Sequence, residues 1–306
     1  MKKNQLGKSD IYVSELTLGC MSLGTNLQRA NSIIDAALEA GINHLDTADL
    51  YDYGVNEEIV GNAIKGKRDK IILTSKVGNH FNRKKKESFW DPSKEHIIKG
   101  CKESLHRLQT DYIDFYMLHG GTIDDPIDQS IEAFEELKQE GVIRGYGISS
   151  IRPNVIREYV KRSNMDAVMM QYNLLDTRPE EEILDLLHAN SINVLARGPL
   201  AKGMLSNNAA VQIDSKGQDG FLDYSYAELK KIHSIITETY LKESSLNEIA
   251  LKYVLKHPAV ASAVFGASSL DQLKENTLHD YSKALTHYLY LDIQKVTKPI
   301  KYTQHR

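Results

Sequence analysis

The chain has 306 residues, of which 41% are hydrophobic and 26% are charged, and its formal net charge at pH 7 is −3. This length fits one large α/β barrel or two ordinary domains. The small negative charge gives no electrostatic reason to expect binding to nucleic acid or to an anionic membrane. The two cysteines, Cys20 and Cys101, are too few for a disulfide scaffold and have no metal-binding or redox spacing. No metal site is predicted.

The first residues and the hydropathy of the chain predict the cellular location of the protein. The first seven residues are basic, but Lys8-Ser9-Asp10 stands where a signal peptide would have its apolar region. No stretch of the sequence approaches the roughly 20 apolar residues that cross a bilayer. These features predict a cytoplasmic protein.

Predicted strands and helices alternate along the whole chain. A small hairpin over residues 6–14 precedes strands at residues 15–18, 42–48, 71–76, 112–119, 143–148, 167–171, 193–196 and 261–265. Helices are predicted at residues 27–40, 56–65, 93–108, 126–139, 153–162, 179–189, 224–242, 246–256 and 269–278. Asn26 is expected to cap the first of these helices, Gly41 ends it, and residues 197–223 are expected to form a long loop.

About eight strands, each followed by a helix, favour a closed (β/α)8 TIM barrel over a doubly wound open sheet. The strands are short and apolar on both faces, as parallel strands covered on both sides are. No G-x-G-x-x-G motif is present, because residues 145–150 lack the final glycine, and this argues against a Rossmann domain. No linker rich in proline or serine divides the chain. We therefore expect residues 1–306 to form a single barrel domain with an N-terminal β-hairpin and extra C-terminal helices.

Four reactive side chains stand at the ends of successive predicted strands. Asp46 and Tyr51 come at the end of one strand, Lys76 ends the next, and His119 ends the one after it. The carboxyl ends of parallel barrel strands meet at one mouth, so these side chains should converge there. When hydride reduces a carbonyl, a tyrosine can give the alkoxide a proton, helped by an ammonium that favours phenolate and a carboxylate that holds the ammonium. A neutral imidazole can bind the substrate oxygen.

Each of these residues has an ordinary explanation when it is taken alone. Asp46 could cap a turn, Lys76 could be a solvated strand end, and His119 could be a structural histidine. Tyr51 is one of 16 tyrosines. Only the four together, each at the matching end of its strand, point to carbonyl chemistry.

The sequence resembles the aldo-keto reductase superfamily over nearly its whole length and in the same order. The matching segments are His44-Leu45-Asp46-Thr47-Ala48 with Tyr51, Thr74-Ser75-Lys76, Thr110-Asp111-Tyr112-Ile113-Asp114 with Leu118-His119, Gly145-Tyr146-Gly147-Ile148-Ser149, Gln171-Tyr172-Asn173, Gly198-Pro199-Leu200-Ala201-Lys202-Gly203, and Gly266-Ala267-Ser268-Ser269 with Glu275-Asn276. The resemblance implies a TIM barrel, an NADP(H) cofactor held without a Rossmann fold, and reversible reduction of aldehydes or ketones to alcohols. It assigns Asp46, Tyr51, Lys76 and His119 as the catalytic tetrad, with Tyr51 as the proton donor.

The same resemblance assigns three groups of cofactor-binding residues. The first group, Ser149, Ser150 and Gln171, is expected to hold the nicotinamide carboxamide. The second is a loop expected to cross the pyrophosphate, formed by Arg197, Gly198, Pro199, Leu200, Ala201, Lys202 and Gly203. The third is expected to surround the adenosine phosphate and adenine, and its members are Gly266, Ala267, Ser268, Gln272 and Asn276. Ser268-Ser269 would open a helix whose backbone N–H groups suit a phosphate. Without the resemblance, each of these small residues would be read as part of an ordinary βα turn.

Two departures from the family pattern concern the cofactor. Arg197 stands where many relatives have an aromatic residue stacked on the nicotinamide, and a guanidinium can also lie flat against a ring. Many relatives have an arginine near Ser268 or Gln272 to pair with the 2′-phosphate, whereas only Lys274 and Lys202 are near here. The expected preference for NADP(H) over NAD(H) is therefore weaker than usual, and NADP(H) is placed first.

Several segments could form the substrate side of the mouth. The basic run in residues 83–90 is predicted to be a solvated loop, with Phe89 and Trp90 as candidates for an apolar wall. Gly120-Gly121 leaves room beside His119. Residues 281–306 could fold over the mouth or pack beneath the barrel. The expected partner is a small-molecule carbonyl, and the chain is expected to be a monomer or a small homo-oligomer.

Two other functions are compatible with parts of this pattern. One is a cofactor-binding regulatory protein of the same fold, similar to the potassium-channel β subunits, with little turnover. The other is a barrel isomerase or aldolase that uses Lys76 as a Schiff-base amine. The complete set of four side chains favours the reductase.

Overall fold

A closed barrel of eight parallel strands forms the centre of the computed structural model, which describes residues 1–241 and 244–306. The strands are β1 Leu16–Gly19, β2 His44–Asp46, β3 Ile72–Val77, β4 Ile113–Leu118, β5 Ile143–Ser149, β6 Ala167–Gln171, β7 Asn193–Arg197 and β8 Val260–Gly266. They follow one another around the barrel in chain order, and β8 pairs with β1 to close it. The predicted (β/α)8 fold is confirmed.

Helices cover the outside of the barrel. They are α1 Leu27–Glu39, α2 Val55–Ile64, α3 Lys94–Leu108, α4 Ile127–Gln139, α5 Pro153–Arg162, α6 Ile183–Ala189, α7 Ala209–Lys216, α8 Tyr226–Tyr240, α9 Leu246–Leu255, α10 Leu270–Thr277 and α11 His287–Val296. Asn26 caps α1 as predicted, since its side chain accepts a hydrogen bond from the Arg29 N–H. No helix within the described residues is both long and apolar enough to cross a membrane.

Helix α8 begins later than predicted and is preceded by a helix that the sequence did not predict. Ser225 and Glu228 form a capping box, so α8 starts at Tyr226 instead of Tyr224. Its predicted end, Lys242, lies outside the described residues. Helix α7 falls in the predicted loop and buries only Ala209 and Ile213, a pattern too weak to be recognised in the sequence.

A second difference concerns the basic segment after β3. Asn79–Asn82 pairs antiparallel with Glu87–Trp90, so only residues 83–86 form the turn. The prediction of a solvated loop is therefore wrong for residues 87–90. The run of lysines forms the tip of the hairpin, where the charges face water. Because this run continues directly into the short second strand, the sequence pattern did not reveal that strand.

The N-terminal hairpin closes the end of the barrel opposite the mouth. Its strands are Lys3–Gln5 and Tyr12–Ser14, so the first strand lies before the predicted residues 6–14 and residues 6–11 form the turn. Leu6 and Ile11 in the turn are fully buried and pack against Phe115 inside the barrel. This plug leaves the carboxyl ends of the strands as the open end.

Candidate active site

A cavity of about 1480 Å³ opens at the carboxyl ends of the barrel strands. Asp46, Tyr51 and His119 line its floor, and Lys76 lies directly behind them with no exposed surface. The four side chains that the sequence placed at strand ends are therefore brought together. They come from β2, the turn after it, β3 and the residue after β4.

The Lys76 ammonium has an acceptor for each of its three protons. Its Nζ donates to Asp46 Oδ2 at 2.9 Å, to the Thr47 carbonyl at 2.7 Å and to the Tyr51 hydroxyl oxygen at 3.2 Å. The other Asp46 oxygen also lies 2.8 Å from Nζ. Because ammonium has three donors and no acceptor, this shell is complete and fixes the position of the charge below Tyr51.

Backbone strain follows Tyr51 directly. Asp52 and Tyr53 have φ values of +48° and +53°, in the left-handed region that side chains other than glycine rarely adopt. The Tyr53 hydroxyl donates to the Lys86 carbonyl at the hairpin tip, at 2.8 Å. The Tyr51 turn is therefore held by tertiary contacts, and such strain is often found at functional sites.

Burial and charge act in opposite directions on the Lys76–Asp46 pair. Burial favours the neutral amine, but the Asp46 carboxylate and the Tyr51 oxygen outweigh it and raise the pKa of Lys76. Burial also raises the pKa of Asp46, and the Lys76 ammonium works against that rise. The lysine therefore carries a positive charge under the Tyr51 hydroxyl at neutral pH.

His119 is neutral at physiological pH. Burial, the Lys76 ammonium and the Arg197 guanidinium lower its pKa to about 3. Its ring meets the Tyr51 ring edge-on, with the two centroids 5.7 Å apart. Its Nδ1 is buried with no hydrogen-bond partner among the described residues. A neutral imidazole beside a phenol can hydrogen-bond a substrate oxygen that lies between them.

A chain of buried polar side chains runs across the barrel below Lys76. His44 Nδ1 lies 2.7 Å from Thr17 Oγ1, and His44 Nε2 lies 2.6 Å from Thr74 Oγ1. Ser262 Oγ extends the chain from Thr17 at 2.6 Å. Burial and Lys76 lower the pKa of His44 to about 3, so His44 adds no positive charge near the ammonium.

The structure places nearly all of the predicted cofactor residues on the wall of the same cavity. Those on the wall are Ser149, Ser150, Gln171, Arg197, Gly198, Pro199, Leu200, Ala201, Lys202, Gly203, Gly266, Ser268, Gln272 and Asn276. Ala267 is the exception, since it is fully buried and does not line the cavity. The wall is therefore continuous from Tyr51 to α10.

Arg197 belongs to a polar network on this wall. Its Nη1 donates to Gln171 Oε1 at 3.3 Å, and Gln171 Nε2 donates to Asp176 Oδ2 at 2.8 Å. Arg178 makes two 2.7 Å hydrogen bonds to the same Asp176 carboxylate. These contacts hold the Arg197 guanidinium at the cavity edge, where a stacking residue is expected.

The shape of the wall fits a dinucleotide. Gly198 and Gly203 have φ values of +66° and +91°, so the loop keeps its backbone open toward the cavity. A Cβ at Gly266 would lie 2.5 Å from Ser22 Oγ, so any other residue there would require the Ser22 side chain to move. Ser268 and the capped start of α10 offer a hydroxyl and backbone N–H groups at the far end.

The mouth also contains residues that the sequence did not single out. Trp90 lines the cavity as predicted, but Phe89 is 64% exposed and stacks on His80 outside it, so the prediction for Phe89 is wrong. Other wall residues are Asn79, Arg152, Arg178, Phe221 and the tail residues Ile300, Lys301, Tyr302, Thr303, Gln304 and His305. The only signal for the tail was its tyrosine content, which did not say where it lies.

Comparison with known proteins identifies the family. Residues 15–295 match the model of the Aldo/keto reductase family. This chain belongs to that family. It is an aldo-keto reductase-family oxidoreductase, and members of the family use nicotinamide cofactors and act on small carbonyl compounds.

Individual relatives are similar over almost the whole chain. An uncharacterized oxidoreductase, YqkF, from Bacillus subtilis is 53% identical, with all of both chains covered. An NADH-specific methylglyoxal reductase from Escherichia coli is 30% identical, covering 90% of this chain and 92% of the relative. The holo form of the aldo-keto reductase AKR11C1 from Bacillus halodurans is 54% identical with a TM-score of 0.93, covering 100% of this chain and 99% of that one, and the apo form has a TM-score of 0.85.

Proposed function

We propose that this protein reduces aldehydes or ketones to alcohols with NADP(H), and that Tyr51 donates the proton. The observation that carries the proposal is the contact of 3.2 Å between the Tyr51 hydroxyl and the buried Lys76 ammonium, on the floor of the cavity. A bound nicotinamide would supply the hydride. The residues of this chain would supply orientation, polarisation and the proton.

Lys76 and Asp46 act through Tyr51. When the Tyr51 hydroxyl gives its proton to the substrate oxygen, a phenolate charge develops 3.2 Å from the ammonium. The ammonium stabilises that charge, because opposite charges attract strongly where water is excluded. Asp46 keeps the ammonium in place through its 2.9 Å hydrogen bond. Neither residue needs to touch the substrate.

His119 orients the carbonyl. Since its pKa is lowered to about 3, its ring is neutral and one nitrogen can donate to the substrate oxygen without competing for the proton of Tyr51. The edge-on contact between the two rings leaves both groups facing the cavity. The carbonyl oxygen would then be held between a phenol and an imidazole.

The cofactor preference is the weakest part of the family pattern in this chain. Within residues 266–276, all of which the structure describes, Gly266, Ser268, Gln272, Glu275 and Asn276 line the wall and Lys274 does not. A 2′-phosphate beside Glu275 would be repelled, whereas one beside Lys202 would be attracted. NADP(H) is the cofactor that we propose first. NAD(H) is the second candidate, supported by Glu275 and by the NADH-specific relative.

The burial of Lys76 argues against a Schiff-base enzyme. The amine has no exposed surface and all three of its protons are engaged. A Schiff base requires a neutral amine that reaches a carbonyl. Tyr51 stands between this lysine and the cavity.

The decisive experiment follows oxidation of NADPH and, separately, of NADH by the purified chain in the presence of an activated aromatic aldehyde. We expect Tyr51→Phe to lower kcat at least ~100-fold, the usual contribution of a positioned acid. Tyr12→Phe is the matched control, because Tyr12 is 50% exposed on the N-terminal hairpin, at the end of the barrel opposite the cavity. It should retain nearly full activity.

Three outcomes would count against parts of this proposal. Full activity of Tyr51→Phe would remove Tyr51 as the proton donor. Tight cofactor binding without turnover of any carbonyl would favour the regulatory function. If neither cofactor bound, as measured by quenching of Trp90 fluorescence at the cavity wall, the proposed activity would be wrong.

A further inference from the structure

Three polar side chains meet where the hairpin over residues 79–90 reaches α3. His80 lies on the first hairpin strand, Asp91 follows the second strand, and His96 lies in the first turn of α3. One nitrogen or carboxylate oxygen from each lies within 4.8 Å of those of the other two. The cluster is outside the cavity wall, and the proposed reduction does not use it.

His96 has one ring nitrogen without a hydrogen-bond partner among the described residues. The residue is only 8% exposed, and this nitrogen, Nε2, is buried. Burying an unpaired polar atom is unfavourable, so such atoms call for an explanation. An imidazole nitrogen with a free lone pair is the commonest metal ligand in proteins.

The other two side chains are already oriented by their neighbours. His80 Nε2 lies 2.8 Å from Asp91 Oδ2, and Asp91 Oδ1 accepts a 3.0 Å hydrogen bond from the Ser93 N–H. The His80 ring stacks on Phe89, with centroids 4.7 Å apart, and is tilted against the His96 ring, with centroids 3.8 Å apart. The Ser93 hydrogen bond comes from outside the cluster and orients the Asp91 carboxylate, as such bonds do in metal sites, whereas the contact between His80 and Asp91 joins two of the three groups themselves.

We propose that His80, Asp91 and His96 bind a divalent transition-metal ion of the Zn²⁺ class. Two imidazoles and one carboxylate suit such ions, and water would complete the coordination. Metal–ligand bonds of about 2.1 Å place tetrahedral ligands about 3.4 Å apart. The 2.8 Å hydrogen bond between His80 and Asp91 would break to admit the ion, and side-chain movements of roughly 1 Å would bring the three ligand atoms to that spacing. The side chains of His80 and Asp91 are 37% and 28% exposed, which leaves a path for the ion.

A bound ion would link the hairpin to α3. The hairpin contributes Asn79 and Trp90 to the mouth, and Trp90 Nε1 is already bonded to Asp125 at 3.1 Å. Metal binding would therefore fix one wall of the cavity. This inference is independent of the proposed activity, because it concerns binding alone.

The only tryptophan of the chain, Trp90, is adjacent to the ligand Asp91 and reports on the site. The untagged full-length protein is titrated with Co²⁺, and Trp90 fluorescence and the visible absorption of Co²⁺ are recorded. We expect both signals to saturate at one ion per chain and Zn²⁺ to displace Co²⁺. Absence of saturable binding would overturn the proposal.

Variants locate the ion. His96→Gln and His80→Gln should each weaken Co²⁺ binding roughly tenfold or more. His106→Gln on the exposed face of α3 is the matched control and should bind like the parent chain. His80 is partly exposed, so its variant should fold even if His96→Gln does not, as circular dichroism would show. Equal Co²⁺ affinity in His80→Gln and His106→Gln would refute the site.

Discussion

Lys76 has no exposed surface, yet each proton of its ammonium has an oxygen acceptor. The sequence indicated a lysine at the end of an apolar strand, which alone suggests a solvated strand end. Only the fold shows that the strand end is covered by the Tyr51 turn. A buried charge is tolerated there because Asp46 compensates it, and the pair cannot be split without a large penalty.

Lys76→Met should therefore affect both activity and stability. The substitution leaves the Asp46 carboxylate buried without a partner, so we expect a loss of about 3 kcal/mol in the free energy of unfolding as well as loss of turnover. Tyr51→Phe removes one hydrogen bond and should change stability by only about 1 kcal/mol. Urea unfolding of the two variants measures the difference. Equal stabilities would show that the pair is not held as described.

His44 links stability to pH. Its pKa falls from 6.5 to about 3 in the folded chain. Between these values the unfolded chain binds the proton and the folded chain does not, so stability falls as pH decreases from 6.5 toward 3. At about pH 5 this one residue should reduce the free energy of unfolding by about 2 kcal/mol relative to neutral pH.

His44→Gln tests this effect through the slope of stability against pH. The variant loses one titrating group, so its unfolding free energy should decline less steeply between pH 6.5 and 3 than that of the parent. The substitution also breaks the hydrogen bonds to Thr17 and Thr74, which lowers the free energy of unfolding by the same amount at every pH. The comparison of slopes is unaffected by that constant loss. Parallel curves would mean that His44 keeps an ordinary pKa in the folded state.

At the scale of elements, Glu180 joins four parts of the chain. It lies in the turn before α6, and its Oε1 accepts 2.7 Å hydrogen bonds from the hydroxyls of Tyr172, after β6, and Tyr253, on α9. Its Oε2 accepts from Gln294 on α11 at 3.1 Å. The Tyr253 ring also stacks on Tyr290, with centroids 4.9 Å apart. One carboxylate thus attaches the C-terminal helix to the barrel.

Glu180→Gln should loosen that attachment. The carboxylate receives only donors, and the amide NH₂ of glutamine cannot accept from any of them, so at least one of the present hydrogen bonds is lost or must rearrange. We expect a loss of about 2 kcal/mol in the free energy of unfolding, measured by urea denaturation, and faster proteolysis within α11. Glu182→Gln, which only breaks an exposed pair with Arg157, is the control and should change little. Equal effects of the two substitutions would contradict the attachment of α11 to the barrel through Glu180.

The elements that the sequence missed have weak local patterns. Glu87–Trp90 is a four-residue strand in an exposed hairpin, so it has no apolar alternation to reveal it. Helix α7 exposes most of its length and was hidden for the same reason. Both are stabilised by contacts with distant segments, such as the Trp90–Asp125 hydrogen bonds. Local periodicity cannot report such contacts.

At the scale of the whole molecule, the C-terminal tail crosses the mouth. After α11 the chain turns back, and the residues from Ile300 to His305 form part of the cavity wall. Tyr302 is 6% exposed, with its ring 5.0 Å from the Arg178 guanidinium. The backbone of His305 accepts a 2.8 Å hydrogen bond from the Asn154 N–H at the start of α5. The tail therefore folds over the mouth instead of packing beneath the barrel.

Tyr302→Ala should weaken substrate binding more than chemistry. Removing the ring ends its contact with Arg178 and opens the wall, and a loss of about 1.4 kcal/mol corresponds to a KM about tenfold higher for an aromatic aldehyde. The kcat should change much less, because Tyr51 and Lys76 are not touched. Steady-state kinetics separate the two constants, with Tyr288→Ala, 82% exposed on α11, as the control. A lower kcat at unchanged KM would mean that Tyr302 contributes to the chemical step instead of to substrate binding.

The sequence by itself determined the repeating architecture and the chemistry at the strand ends. Alternating apolar strands and helices specify a (β/α)8 barrel, and the barrel geometry then brings Asp46, Lys76 and His119 to one mouth. These features are local, so they can be read along the chain. The strained Tyr51 turn, the tail over the mouth and the cluster around Asp91 depend on contacts between residues far apart in sequence. Only the tertiary structure decided them, because packing and buried charge pairs have no local signature.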